Sequence, residues 1–233
     1  MRIASFNIHG GQLGGRPNLP PLVAACIDLD ADILGLQEVD RRRRRSAFAD
    51  QAKVVARGMA CDHVYGPTRL RIVRGQYGNA LIARGTIKDV EIPALPDSGT
   101  NQQRRAAVLA RVVTGDVHVS VAVTHLSHHP KRLDHLPDEA PDQLAAVLEW
   151  LRERPAPRIL MGDFNMQPPR VEPILAEAGF EIAPTGPAYP VDDPKIQLDY
   201  LAVDGLDIES AGIAPINNVS DHRPIVAKVR LPR

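Results

Sequence analysis

The stretch AVLARVVTGDVHVSVAVTH, residues 107–125, leaves few options for its own conformation. Valines at 117, 119, 121 and 123 keep a strict period of two, which aligns them on one face of an extended strand. The apolar, β-branched run before them is joined through Thr114-Gly115-Asp116, a tight-turn sequence. The prediction is an antiparallel hairpin.

Other segments supply its neighbours. RIASFNI (2–8) and DILGLQEV (32–39) read as strands, and between them Leu22, Val23, Cys26 and Ile27 recur at helical spacing behind two prolines suited to a helix start. A second helix is expected over 50–59, ending near Gly58. GNALIAR and TIKDVEI suggest a strand pair around Gly85. After a polar loop at 126–140, residues 141–153 carry Leu144, Val147, Leu148 and Leu151 on one helical stripe. A strand at 158–162 precedes a short helix with Val171, Ile174, Leu175 and Ala178 on one face, stopped by Gly179. QLDYLAV and RPIVAKVRL are further strands, with DIESAGIA a weaker one between them. Many strands and few helices fit two packed sheets flanked by helices better than a doubly wound parallel sheet. One α/β domain over 1–233 is expected.

Composition sets the class. With 28 residues of each sign the net charge is +0, so a general polyanion-binding protein is not indicated. The basic residues are nevertheless clustered: Arg41 to Arg45 form an unbroken run, Arg69, Arg71 and Arg74 lie close together, and Arg104 adjoins Arg105. A charge run of this kind is most simply a solvated face. No apolar run approaches the roughly 20 residues that span a bilayer. The first residues enter an alternating strand without a secretion signal, and Cys26 and Cys61 imply no disulfide framework. A reducing, cytoplasmic setting is the expectation.

The informative polar residues fall at strand ends. Asn7 closes the first strand and Glu38 the second; His125 ends the hairpin; Asp163 and Asn165 follow the next strand; Asp199 lies in QLDYLAV; Asp221 and His222 precede the last strand. Each alone reads as a cap, a turn former or a satisfied core histidine. Together they gather where scaffolds carry chemistry. Glu38, Asp163 and Asp221 offer hard oxygen ligands, with Asn7 and Asn165 as amides, a set suited to Mg2+ or Mn2+ rather than zinc.

RIASFNIHG, LQEVD, YGNALIAR, VTHL, MGDFNMQP, LDYLAV and SDHRPI, in that order from residue 2 to residue 225, resemble the endonuclease/exonuclease/phosphatase superfamily. The resemblance implies a four-layer α/β sandwich of two mixed β-sheets flanked by helices, and hydrolysis of phosphoesters with Mg2+, Mn2+ being a substitute. It implies metal ligation by Glu38, Asn7 and Asp221. Asp163 would orient or deprotonate the attacking water, and Asn165 would hold it or a phosphate oxygen. His222, fixed by Asp199, would touch the scissile phosphate, and His125 would assist the leaving group. That histidine points to the branch of deoxyribonucleases, sphingomyelinases and inositol phosphatases. Arg105 would reach the phosphate, with Asn79 supporting that side. The expected activity is a phosphodiesterase, nucleic acid being favoured slightly on the arginine clusters. The alternatives are a phospholipid or inositol-phosphate head group, or a binding module that has lost turnover.

Three signals carry less. HLSHHP with His135 matches no closed zinc site and reads as a loop beside the site. Ser220-Asp221-His222 is no triad, because successive residues cannot converge on one substrate atom. GGQLGG (10–15) lacks a phosphate-loop lysine and gives the backbone turning freedom beside Asn7.

Overall fold

The computed structural model describes residues 1–13, 16–68, 75–98, 104–128 and 138–232. From the amino end, β1 (Arg2–Asn7) leads through a 3-10 turn (His9–Gly11) and the short ribbon of β2 (Gln12–Leu13) and β3 (Arg16–Pro17) into α1 (Leu19–Asp28). Then follow β4 (Ile33–Arg41), a second 3-10 turn (Arg44–Ser46), α2 (Gln51–Met59), β5 (Asp62–Pro67) and β6 (Gln76–Ala83). The second half contains β7 (Thr86–Glu91), β8 (Ala107–Thr114), β9 (Val117–His125), α3 (Ala140–Arg152) and β10 (Arg158–Asp163). It continues through α4 (Pro168–Glu177), β11 (Glu181–Ile182), β12 (Asp199–Asp204), β13 (Asp207–Ile213) and β14 (Ile225–Arg230).

The strands make two six-stranded sheets, ordered β13-β14-β1-β4-β6-β5 and β11-β12-β10-β9-β8-β7. The alternation seen in the sequence sorts side chains between layers. Val119, Val121 and Val123 point inward and meet Ile3, Ile33, Leu81, Met161 and Leu201 in the core between the sheets. On the outer face of the first sheet, Phe6, Leu34 and Leu36 pack against Leu22, Cys26 and Val55 of α1 and α2. On the outer face of the second, Ala122 and Leu160 meet Leu144, Val147, Val171 and Leu175 of α3 and α4. The fold is therefore the four-layer sandwich, helix–sheet–sheet–helix.

The hairpin is β8–β9, paired from Ala107↔Thr124 to Thr114↔Val117. Other expectations need correcting. The runs on either side of Gly85 are both strands but do not pair. β6 bonds β4 and β5, whereas β7 crosses to the second sheet and bonds β8. β5, DHVYGP, lacks alternation and was not expected as a strand. Cys26 is buried, but Cys61 is only half-buried.

Topology explains why the polar residues meet. Each sheet has a central parallel pair, β1 with β4 and β9 with β10, so the carboxyl ends of these four strands lie at one edge of the sandwich. Their neighbours β14, β6, β12 and β8 run antiparallel and therefore begin there. Strand ends and strand beginnings from both sheets converge, as binding residues do at the carboxyl ends of α/β sheets.

Candidate active site

Asp163 stands at the centre. It ends β10, opposite His125 of β9 and Asp199 of β12 in the register. Gly162 lets it approach: a Cβ there would lie 1.9 Å from the Thr124 carbonyl oxygen. Both oxygens of Asp163 are held. Asn7 Nδ2 donates to Oδ2 at 2.9 Å, and the Asn165 backbone N–H donates to Oδ1 at 2.9 Å. Burial, reinforced by the charge of Asp199, pushes the Asp163 carboxyl up to about 7.

Asn165 turns through a left-handed backbone, φ 52°. Its amide donates to the Leu126 carbonyl at 3.0 Å and lies 3.0 Å from His125 Nε2. The same His125 nitrogen is 3.6 Å from Asp163 Oδ2. Burial, then the positive charge of Arg105, holds His125 well below the ordinary histidine range, so this ring is neutral. His222 is the opposite case. Its Nδ1 is 2.7 Å from Asp199 Oδ2. Burial opposes its charge, but Asp199 overcomes this with help from Asp163 and Asp221, and the ring is pushed up to about 10. One neutral and one charged histidine thus flank Asp163.

The His222 shift has a consequence for stability. Its folded value, about 10, lies above the ordinary 6.5. Its contribution is full below pH 6.5, where folded and unfolded chains both hold the proton, and is lost as pH rises toward about 10. In chelator, the melting-temperature gap between wild type and His222→Gln should be widest below pH 6.5 and should close as pH rises. A gap that widens with pH would contradict the assignment.

The first sheet supplies the mouth. Glu38 does not end its strand as expected. β4 runs on to Arg41, and Glu38 sits in it at φ 58°, where the pairing with β6 shifts between Leu36 and Val39. This bulge re-aims its side chain. Asn7 Nδ2 is 3.4 Å from Glu38 Oε1. Asp221 lies in the loop before β14, whose Ser220 hydroxyl donates to the Asn7 carbonyl at 2.7 Å. Two residues here were not expected from the sequence. His9 Nδ1 is 2.8 Å from Asp221 Oδ1, a contact that raises the His9 pKa, as Glu38 does more weakly. Tyr77 is mostly buried, and burial, then the nearby charge of Glu38, pushes its hydroxyl well above the ordinary tyrosine range. Both lie in quoted motifs, NIHG and YGNALIAR, and their spacing from Asn7 and Asn79 was the available signal.

Arg105 precedes β8 and is 5% exposed, yet its Nε and Nη1 have no hydrogen-bond partner among the described residues. Unpaired buried donors are costly, so an anionic group there would complete the site. Asn79 does not reach the open site. It is 1% exposed and donates to the Ala106 carbonyl at 2.8 Å, tying the first sheet to the residue beside Arg105.

Two groups of side chains could receive a metal ion. Asp163, Asp199 and His222 have ligand atoms within 4.8 Å of one another. In this group His222 Nδ1 is already engaged by Asp199 at 2.7 Å, so that nitrogen is not open to a cation. Glu38 and Asp221, beside Asn7 at the more open mouth, are the harder oxygen donors. His9, 2.8 Å from Asp221, is drawn toward its charged form by their carboxylates, and this set fits a dication that keeps several waters.

Of the arginine clusters, 69–74 and the histidines at 129 and 135 lie outside the described residues. Among the described residues no helix is long and apolar enough to cross a membrane.

The fold has counterparts among solved structures. An endonuclease/exonuclease/phosphatase from Beutenbergia cavernae superposes with a TM-score of 0.82 at 21% identity, over 99% of this chain and 71% of that one. The human nocturnin catalytic domain, solved with a bound sulfate anion, gives 0.76 at 19% identity, over 100% and 94%. The mannosyl-6-phosphatase of Bacteroides thetaiotaomicron gives 0.76 at 16% identity, over 99% and 100%. A search of curated proteins found no match. The model of the Endonuclease/Exonuclease/phosphatase family matches residues 4–222. This match spans nearly the whole sandwich and every site residue above, so the chain belongs to the endonuclease/exonuclease/phosphatase family.

Proposed function

We propose that the chain is a Mg2+-dependent phosphodiesterase, with Mn2+ as a substitute, and that its substrate is a nucleic acid. The observation that carries this reading is Arg105, buried with unpaired donors on the same edge as Asp163. A phosphate satisfies that guanidinium with charge-assisted hydrogen bonds. Bound sulfate in the nocturnin domain, and the phosphate in the mannosyl-6-phosphatase's name, agree with an oxyanion site on this fold.

Glu38, Asp221 and Asn7 would hold the dication, which supplies charge neutralisation at the phosphate. The rest of the work falls to the chain's own residues. Asn7 and Asn165 hold both oxygens of Asp163 so that its carboxylate can take a proton from the attacking water. Charged His222, fixed by Asp199, donates hydrogen bonds to the phosphate oxygens. His125, beside Asn165, would assist departure of the leaving group by hydrogen bonding and not by donating a proton, its ring being neutral, with the departing oxygen protonated from solvent. Nucleic acid is preferred because an arginine-rich loop adjoins the mouth.

The test is turnover of purified protein with Mg2+ or Mn2+ on DNA, RNA, a chromogenic phosphodiester, phosphoinositides and sphingomyelin. Oligonucleotides should be cleaved and the lipid head groups left intact. Turnover of head groups without oligonucleotide cleavage would move the substrate to that class, and no turnover at all would leave a binding module.

A further inference from the structure

The arginine run separates into two sets. Arg41, Arg43 and Arg45 are built into the fold. Arg41 Nε is 3.0 Å from Asp50, Arg45 grips buried Asp40 through two bonds at 2.7 and 2.9 Å, and Arg43 reaches the same carboxylate at 3.6 Å. Arg43 and Arg45 also lie over the ring of Tyr77, 5.8 and 5.7 Å from its centre, and the charge of Glu38 is felt at the Tyr77 hydroxyl. One aromatic ring therefore separates this loop from the mouth of the site. Arg42 and Arg44 take no part in these contacts and are exposed.

Between these elements the loop presents Phe48, which is 66% exposed at φ 60°. A left-handed backbone is unusual for a bulky side chain and is strained. The loop enforces it. The Phe48 N–H donates to the Arg43 carbonyl at 2.9 Å, Arg42 N–H to Ala49 at 2.8 Å, and Ala49 N–H to Ser46 at 3.0 Å. Phe48 is thus exposed on a preformed backbone scaffold, in the same loop as the exposed Arg42 and Arg44.

We propose that Phe48, Arg42 and Arg44 form a subsite for single-stranded nucleic acid, one base stacking on the Phe48 ring while the two arginines meet flanking phosphates. This rests on the nucleic-acid reading of the substrate. Base–aromatic stacking beside cationic groups is the general means of holding single strands, and a loop whose backbone is already fixed loses less entropy on binding. A membrane is the poorer fit. Interfacial binding scales with buried apolar area, and Phe48 is one isolated ring among charges.

The test compares wild type, Phe48→Ala and Phe48→Trp, in chelator to prevent cleavage, for affinity toward a short single-stranded oligonucleotide and an abasic strand of equal length. Phe48→Ala should weaken binding of the normal strand by roughly tenfold or more, with little change on the abasic strand. Phe48→Trp should retain affinity and show fluorescence quenching on binding, against the steady background of the single native tryptophan, Trp150. Equal affinities of wild type and Phe48→Ala for the normal strand would overturn the subsite. So would an equal loss on both strands, which marks a loop distortion, or a loss confined to vesicles containing phosphatidylserine. Phe48-dependent binding without any hydrolysis in Mg2+ would instead refute the proposed activity and leave the subsite standing.

Discussion

Asp163→Asn should lower phosphodiester turnover by roughly 10²-fold or more, the scale of a lost general base, while KM changes much less. The substitution keeps the side chain's shape and removes its capacity to accept a proton. Its effect on folding is separable. Asp163 now accepts one bond from Asn7 and one from Asn165 on different oxygens. An asparagine has one carbonyl oxygen and must turn its amide toward one of these donors. The unpaired buried donor costs about 1–3 kcal/mol, opposed by relief of the burial that pushes the Asp163 carboxyl up to about 7, and thermal unfolding will show whether the variant is folded at the assay temperature. His118→Ala, on an exposed stretch of β9 beside Arg111, serves as the control and should retain wild-type turnover. A folded Asp163→Asn protein with near-normal turnover would return this loop to the status of a capped turn.

The second large effect concerns the cation. Activity should vanish in excess chelator and return with Mg2+ or Mn2+, and Glu38→Gln should shift the rescue to higher metal concentration. Binding has a readout independent of activity. A ligand that binds only the folded chain stabilises it by about 2.7 kcal/mol at a hundredfold excess over its Kd. Mg2+ should accordingly raise the melting temperature of wild type and fail to do so for Glu38→Gln and Asp221→Asn. Asp199→Asn separates the two groups of candidate ligands. It should keep the Mg2+-induced rise if the cation sits at the mouth, and lose it if the cation sits among Asp163, Asp199 and His222. Full activity in excess chelator would remove the cation from the account.

How much of this was legible in the sequence depended on whether the signal was local. The β8–β9 hairpin was, because a strict period of two and its turn lie within one continuous stretch. The pairing of β6 with β7 was not. Two apolar runs around Gly85 look alike whether the chain folds back or crosses between sheets, and only the other strands decide that it crosses. Asn7, Asp163, Asp199 and His222 were marked by their places at strand ends, which the central parallel pairs bring to one edge. Glu38 was expected at the end of its strand and lies inside it instead, since its positive φ belongs to a bulge set by register against β6. His9 and Tyr77 escaped notice because their importance comes from partners 212 and 39 residues away, Asp221 and Glu38. The arginine run read as a solvated face or a rim. It is in part neither, because Asp40 and Tyr77 fold alternate members inward.

The central claim is that water attacks a phosphodiester at phosphorus under the control of Asp163. The most direct measurement follows solvent oxygen into product, with an oligonucleotide, Mg2+ and 18O-labelled water, for wild type beside Asp163→Asn. The account predicts label on the newly formed phosphate and none on the released hydroxyl, appearing roughly 10²-fold or more slower in the variant. Label on the hydroxyl, or a folded variant that labels phosphate as fast as wild type, would contradict it.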